Sequence, residues 1–264
     1  MKKVDLWILA VLITLASAVY QRVTGPTYDY RAKAVVDGSE IRFRLPRSAE
    51  NAEDRRIVLT VPNPVEATLE FKRYKTGDAW AQVPFTREGD NLTASLPRQP
   101  AAGKLAYRVF LVSGTVLTSL SGENPILIRF KDPVPLGLII LHVIVIFSGM
   151  LLSTRAGLAA LDKSDDPRRF IGVTLAFLLL GGFLLGPLVQ KYAFDVLWSG
   201  FPLGTDLTDN KTLISMGFWI AAAIAARKGR QARRWILAAS IVTLVVYLIP
   251  HSLLGSELDY SQLQ

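Results

Sequence analysis

Two polar segments in the last quarter of the chain carry the residues best suited to chemistry. One contains Asp206 and Asp209, and the other contains His251, Glu257 and Asp259. Carboxylate oxygens and an imidazole are ligands that divalent cations accept. Their spacing matches no established metal motif, and the same groups suit a cationic ligand or the lysines of a partner protein. We predict that these five residues form a ligand site, with a divalent cation as one occupant.

A structural role is open for the same residues. Asp209 precedes an apolar run that begins at Thr212, where a carboxylate can accept hydrogen bonds from the free N–H groups of a helix N-terminus. Lys211 is close enough in sequence to pair with Asp206 or Asp195. Helix capping and local ion pairs therefore stand beside the binding site as an alternative.

The segment 191–211 is long for a connection between two helices, and such loops are often functional. It also carries Tyr192 and Trp198 among other aromatic residues. Aromatic side chains of this kind are typical of the membrane–water interface. The pattern predicts a loop that lies in the interface and contributes these two side chains to a binding surface.

The two histidines of the chain indicate another possibility. His142 lies inside one apolar run and His251 at the end of another. Two histidines on facing helices can ligate haem, which would make the protein a redox subunit. The alternative for His142 is a hydrogen bond to a neighbouring helix.

Signatures of familiar enzymes are missing from the sequence. It contains no G-x-S-x-G elbow, no H-E-x-x-H and no P-loop. It also contains no cysteine, which excludes disulfides, thiolate catalysis and cysteine metal sites. The sequence favours a protein that is not an enzyme.

Five apolar runs must position these residues. Residues 1–20 form a transmembrane anchor or a signal segment. The second alternative is open because Ala16-Ser17-Ala18 is similar to a signal-peptide cleavage site. Four further runs approach the length of about 20 residues that a span requires, at 134–154, 170–190, 212–226 and 235–254. Gly182 and Gly186, four residues apart in the third run, predict a close helix–helix approach, within this chain or in a dimer.

The distribution of charge predicts the orientation. The net charge is +8, and the connections 155–169 and 227–234 carry nine basic residues, four plus five, against two in 191–211. Because Lys and Arg favour the cytoplasmic side, we predict a cytoplasmic N-terminus, with the 191–211 loop and the 255–264 tail outside. The predicted location is the cell membrane, which is the inner membrane if the chain is bacterial. Charge placed beside apolar runs argues against nucleic-acid binding.

Residues 21–133 have a different pattern. Short runs alternate apolar and polar residues, as in 41–45 and 107–109, and turn residues separate them. Such alternation predicts about seven strands in an antiparallel β-sandwich outside the membrane. Leu105-x-Tyr107-x-Val109 resembles the tyrosine-bearing strand of fibronectin-III and immunoglobulin-like domains, within residues 27–131. That resemblance implies a binding or spacer module.

Within this domain, Trp80 and three arginines, Arg42, Arg44 and Arg47, are candidates for a binding surface. The simpler interpretation places Trp80 in or beside the core and the arginines on the solvated face of a strand.

The predicted fold class is an α+β membrane protein with an anchor helix, an extracytoplasmic sandwich and a four-helix transmembrane bundle. The predicted function is a non-catalytic subunit or scaffold. It would contact the lipid bilayer and bind another membrane or periplasmic protein, or a ligand, through the β domain and the outer loops. The alternatives are a haem- or metal-bearing redox subunit and a small-solute transporter.

Overall fold

The computed structural model describes residues 2–36, 38–229, 231–250, 255 and 257–262, and it divides into two compact units. The helical unit comprises Met1–Pro26 and Val134–Ser256. The β unit comprises Thr27–Pro133 and Glu257–Gln264. The α+β class predicted from the sequence is confirmed, and the tail after residue 256 belongs to the β unit.

The helical unit contains six α-helices, a short 3-10 helix at Pro167–Phe170 and a π-helical turn at Leu179–Leu185. Among the described residues the α-helices are α1 (Lys3–Thr24), α2 (Leu136–Leu161), α3 (Ile171–Leu178), α4 (Gly186–Phe194), α5 (Leu207–Arg227) and α6 (Ala232–Leu248).

Three helical stretches are long and apolar enough to cross a membrane: Lys3–Thr24, Leu136–Leu161 and Pro167–Phe194. Helix α2 continues to Leu161, beyond residue 154 where the second predicted span ends. Ser153, Thr154 and Arg155 are polar, but all three are buried in the structure and do not end the helix.

Small residues bring the helices of this unit together. Ala156 and Ala159 of α2 are fully buried in one core with Trp219 of α5 and Ile236 of α6. A methyl group at Gly157 would overlap the Ser240 side chain, so α2 and α6 cross closely at this point. The indole N–H of Trp219 donates to Thr243 Oγ1 at 3.0 Å, which satisfies the polar atom of this core aromatic.

Of the two glycines of the third run, Gly182 lies in the π-helical turn and Gly186 begins α4. A methyl group at Gly182 would overlap Thr212 of α5, whereas one at Gly186 would lie 3.6 Å from His142 Cε1 on α2. The two glycines therefore meet two different helices of the same unit. Close packing within this chain, one of the two predicted roles, is confirmed for Gly182.

The β unit contains eleven strands among its described residues. They are β1 (Tyr30–Val36), β2 (Ser39–Leu45), β3 (Ser48–Glu50), β4 (Arg55–Thr60), β5 (Glu66–Arg73), β6 (Ala81–Pro84), β7 (Thr86–Glu88), β8 (Asn91–Leu96), β9 (Lys104–Ser113), β10 (Val116–Ser119) and β11 (Ile126–Lys131).

These strands form three sheets around one core. The sheets have the orders β1-β2, β3-β11-β9-β5-β6 with β10 also paired to β9, and β4-β8-β7. Alternating residues of all three sheets fill the core, for example Phe43 of β2, Leu59 of β4 and Ile128 of β11. The prediction of a purely antiparallel sandwich is wrong at one edge, since β3 and β11 pair in parallel.

Tyr107 of β9 lies at the centre of this core. Its side chain is fully buried, and its hydroxyl donates to the Pro46 carbonyl at 2.7 Å. In immunoglobulin-like domains the corresponding tyrosine bonds to backbone a few residues upstream. Tyr107 instead holds the connection between β2 and β3, 61 positions away in sequence.

Candidate functional site

Asp209 organises the loop that leads into α5. Its carboxylate accepts hydrogen bonds from the backbone N–H groups of Ser199 and Gly200 at 2.7 and 3.0 Å. In the amide orientation that its neighbours require, Gln190 donates to both carboxylate oxygens, at 3.1 and 3.2 Å. Asn210 supports the same loop, because its side-chain oxygen accepts from the N–H of Phe201 at 2.7 Å. The loop is thus folded onto the first turn of α5.

The structure corrects two predicted roles in this segment. The helix begins at Leu207, and Asp206 rather than Asp209 is its N-cap, accepting from the Thr208 N–H at 2.7 Å. Of the two partners predicted for Lys211, Asp195 pairs with Lys191 instead, at 2.6 Å. An aspartate directly before the first helical residue satisfies the free N–H groups, so the cap lies earlier than the start of the apolar run suggested.

Lys211 instead caps the end of α6. Its side chain is 5 % exposed, and its ammonium group donates to the carbonyls of Ile249 and Pro250 at 2.8 and 3.4 Å. The side-chain amide of Gln21 from α1 donates to the Tyr247 carbonyl at 2.8 Å. Helices α1 and α5 therefore both satisfy carbonyls that α6 leaves free where it ends.

The predicted loop aromatics take different positions. Trp198 stacks on Phe183, with ring centroids 5.5 Å apart, and its indole N–H donates to the Phe201 carbonyl at 3.1 Å. Tyr192 is 51 % exposed. Trp198 thus supports the loop, and Tyr192 is the one of the pair whose side chain is mainly on the surface.

A second polar cluster in the helical unit was not predicted. Arg155 of α2 is fully buried, and its guanidinium lies 2.6 Å from the Asp165 carboxylate, which also contacts Arg169 at 2.7 Å. Burial opposes ionisation of Asp165, but the hydrogen bond and charge of Arg155 and the charge of Arg169 outweigh it, so the pKa of Asp165 lies below its ordinary value. The rings of Trp7 and Phe170 lie 5.5 and 5.1 Å from the Arg155 guanidinium carbon.

Arg233 completes this cluster from α6. Its guanidinium donates to the carbonyls of Ala159 and Asp165, both at 2.8 Å, and to the carbonyl of Asp162. The last turn of α2 and the following loop are therefore held by a basic side chain from another helix. The sequence signal was the spacing of Asp165 between Arg155 and Arg169, but these arginines were interpreted only as markers of orientation.

The described part of the β unit contains a surface that holds a segment distant in sequence. We name the residues Arg73–Lys75 and Gln99–Lys104 the tail groove, and residues 257–262 the tail segment. Glu257 lies 2.6 Å from the ammonium groups of both Lys75 and Lys104. Burial raises the pKa of this carboxyl, but hydrogen bonds and charges from the two lysines bring it below its ordinary value.

Tyr260 makes the most specific contact in the tail groove. Its hydroxyl oxygen accepts from the Lys104 N–H at 3.0 Å, and it donates toward the Lys104 carbonyl at 3.0 Å or the Gln99 side-chain oxygen at 3.1 Å. The Arg73 guanidinium lies 5.3 Å from the centre of the ring. A methyl group at Gly103 would overlap Gln99 Cβ and the Pro100 carbonyl oxygen, at 2.7 and 2.8 Å, and would lie 3.0 Å from this hydroxyl. The glycine therefore permits the local turn and leaves room for the phenol.

The tail segment is extended where it enters the tail groove. Exposed and half-buried residues alternate from Glu257 to Ser261, and the Leu258 N–H donates to the Ala102 carbonyl at 3.2 Å. A cavity of about 480 Å³ lies between this segment and Arg73–Gly77. Asp259 accepts from the N–H and hydroxyl of Ser261, at 3.0 and 2.7 Å.

The other surface predicted on the β unit consisted of Trp80 and three arginines. In the structure, Trp80 lies beside other basic residues. Trp80 is half-buried, with the Arg108 guanidinium 4.5 Å and the Lys72 ammonium 5.2 Å from its ring centre. Arg42 and Arg44 lie on the exposed face of β2, as predicted, and Arg42 contacts Glu40 at 3.3 Å.

The predicted ligand site is distributed over both units. Asp206 and Asp209 belong to the helical unit, Glu257 and Asp259 belong to the β unit, and His251 lies outside the described residues. Within the described ranges, no group of three or more His, Asp or Glu residues is placed to hold a metal ion. The five-residue site stays a prediction.

The haem hypothesis also stays a prediction, because it requires His251, which lies outside the described residues. His142 Nδ1 lies 3.1 Å from the Gly181 carbonyl, which is the hydrogen bond to a neighbouring helical segment named as its alternative role. No protein-family model, no curated protein and no solved structure matches the chain. The resemblance to fibronectin-III and immunoglobulin-like domains therefore stays a prediction.

Proposed function

We propose that the protein is a multi-pass membrane protein with five spans and a cytoplasmic N-terminus. The three long apolar stretches support membrane insertion. Helices α5 and α6 share a packed core with the second and third of these stretches, which supports the proposal that α5 and α6 are also spans. At about 1.5 Å per residue the 17 residues of α6 extend about 26 Å, close to the hydrocarbon thickness of about 30 Å.

The positions of the basic side chains support the proposed orientation. Arg155, Arg169 and Arg233 meet at one cluster beside Asp165, which is consistent with one basic end of the helical unit. Reporter fusions after Lys228 and after Gln264 test the topology. We expect the first fusion to be cytoplasmic and the second extracytoplasmic, and both on one side would contradict the proposal.

We further propose that the protein is a non-catalytic binding component whose β unit receives a partner protein. One observation carries this proposal: the β unit already holds an extended segment from more than 150 positions away by side-chain recognition. The polar side chains Asp209, Lys211, Asp165 and Arg233 are by contrast used in internal structural contacts. Among the described residues, the contact with the tail segment is therefore the observation that favours the β unit.

Site-specific photo-crosslinking in the native membrane tests this function. A photoreactive amino acid replaces Gly77, an exposed residue that lines the cavity beside the tail segment. The control replaces Val58, which is 47 % exposed and lies on β4 in a different sheet. We expect a defined adduct with a second protein at position 77 and none at position 58. Equal labelling at both positions, or adducts with lipid alone, would contradict a partner at this surface.

A further inference from the structure

Three groups of the described tail segment make identified contacts with the tail groove. The tail groove contacts one carboxylate at Glu257, one backbone N–H at Leu258 and one phenol at Tyr260. Each of these groups is available in an extended segment of any protein, provided that a carboxylate precedes a tyrosine by three residues. The contact surface thus defines a pattern rather than a particular chain.

The geometry also defines what the groove rejects. Because the Tyr260 hydroxyl both accepts from and donates to the backbone of Lys104, a phenylalanine would leave these polar groups without that partner. A phosphorylated tyrosine would add a bulky dianion where the oxygen already lies within 3.1 Å of Lys104 N, Lys104 O and Gln99 Oε1. The groove is therefore selective for an unmodified tyrosine.

Charge completes the specificity. Lys75 and Lys104 converge on the single carboxylate of Glu257, while Asp78 is occupied by Arg73 at 2.6 Å. Two cations facing one carboxylate favour an acidic residue at this position and disfavour a basic one. A glutamine or an alanine in place of Glu257 would leave both ammonium groups without their anion.

We infer that the tail groove binds an acidic, tyrosine-containing segment of a partner protein, and that this chain's own tail segment competes with it. The inference rests on the proposed function and names the kind of partner. A covalently joined segment has an effective concentration on the order of 1 mM. If the tail segment occupies the groove for about 90–99 % of the time, the affinity for the partner is reduced about 10- to 100-fold.

The test uses the full chain and a variant that ends after Gly255, both in lipid nanodiscs. The probe is a fluorescein-labelled synthetic peptide with the sequence of residues 255–264, and binding is measured by fluorescence anisotropy. We expect the shortened variant to bind the peptide about 10- to 100-fold more tightly than the full chain. We expect peptides with Phe at the tyrosine, Gln at the glutamate or phosphotyrosine to bind at least about tenfold more weakly.

Two further variants keep the test decisive if the shortened chain does not fold. Tyr260→Phe and Glu257→Gln in the full chain weaken the internal competitor, so each should bind the unaltered peptide more tightly than the parent chain. In a chain that already carries Tyr260→Phe, a second change Lys75→Ala should weaken peptide binding relative to Tyr260→Phe alone, whereas Lys72→Ala in the same background, which alters a lysine beside Trp80 outside the groove, should not.

Three outcomes would overturn the inference. They are equal affinity of the full and shortened chains, equal affinity for the tyrosine and phenylalanine peptides, and dimerisation of the full chain that the shortening abolishes. The last would assign the groove to the tail of a second copy. If photo-crosslinking at position 77 identifies a partner while the peptide fails, the proposed function stands and only the recognition pattern is wrong.

Discussion

Arg155 and Asp165 form an ion pair in which both side chains are almost completely buried, with Nη2 and Oδ2 2.6 Å apart. The Arg155 Nε and Nη1 groups have no hydrogen-bond partner among the described residues. In the part of the chain that the structure describes, Asp165 is the carboxylate that pairs with this buried guanidinium. Its second oxygen contacts Arg169, so one carboxylate joins α2 to the residues before α3.

Replacing Asp165 by Asn should strongly destabilise the protein. The change leaves Arg155 buried without its counter-charge, and breaking a buried pair in this way costs about 3–5 kcal/mol. Asp195→Asn is the matched control, because its ion pair with Lys191 has the same 2.6 Å distance but Asp195 is 84 % exposed. We expect the control to change stability by less than about 0.5 kcal/mol. Thermal unfolding in detergent measures both, and similar losses would contradict the role of burial.

Gly200→Ala should disrupt the loop that Asp209 organises. The added methyl group would lie 2.6 Å from Asp209 Cβ and 3.2 Å from the Asn210 backbone nitrogen, so the loop must move and lose its hydrogen bonds. We expect a loss of about 1–3 kcal/mol in the free energy of unfolding. Gly217→Ala in α5 is the control, since among the described residues nothing apart from its chain neighbours and its own helix backbone lies within 4 Å of the added methyl group. It should be neutral or stabilising by up to about 1 kcal/mol. Thermal melts that rank the two variants in the reverse order would contradict this account.

Tyr107→Phe should destabilise the β unit without changing its shape. The variant leaves the Pro46 carbonyl without the hydroxyl that donates to it, at an expected cost of about 1–2 kcal/mol. Tyr30→Phe is the comparison, because Tyr30 is 37 % exposed. Chemical denaturation, monitored by the circular dichroism of the strands, should show a larger loss of stability for Tyr107→Phe than for Tyr30→Phe. Equal losses of stability in the two variants would contradict a specific stabilisation by the Tyr107 hydrogen bond.

The attachment of the tail segment to the tail groove should weaken at low pH. The pKa of Glu257 is lower in the tail groove than its ordinary value of 4.5, although burial alone would raise it. A carboxyl with a lowered pKa stabilises attachment above its ordinary pKa, and this contribution is lost as the pH falls through the lowered value. Spin labels at Thr76→Cys and Ser261→Cys, placed in a chain that has no cysteine, should move apart as the pH falls from 4.5 through the lowered pKa of Glu257. In Glu257→Gln the distance should not depend on pH over this range.

Local patterns predicted the elements of this protein well. Alternation marked β2, β5, β9 and β11, and apolar runs marked the three long helical stretches. Both depend on the periodicity of neighbouring residues, which the chain itself displays. The helix boundaries were less accurate, because a buried polar residue such as Arg155 continues α2 where composition suggested an end.

The polar contacts were predicted poorly for a different reason. Arg155 was counted as a flanking charge, although its partner Asp165 lies ten positions later and folds back against it. Glu257 was placed with Asp206 and Asp209, whereas its lysine partners lie 153 and 182 positions away. Charges this far apart carry no periodic signal, so only the fold determines which of the available cations each carboxylate meets.

The attachment of the tail segment also sets an order of events during synthesis. Lys104 and its partner Glu257 are separated by all the helices from α2 to α6. The core of Thr27–Pro133 can assemble early, but the tail groove stays open until the ribosome has passed residue 260. During that interval a nascent chain presents an unoccupied recognition surface, which can close only after all the helices from α2 to α6 have been synthesised.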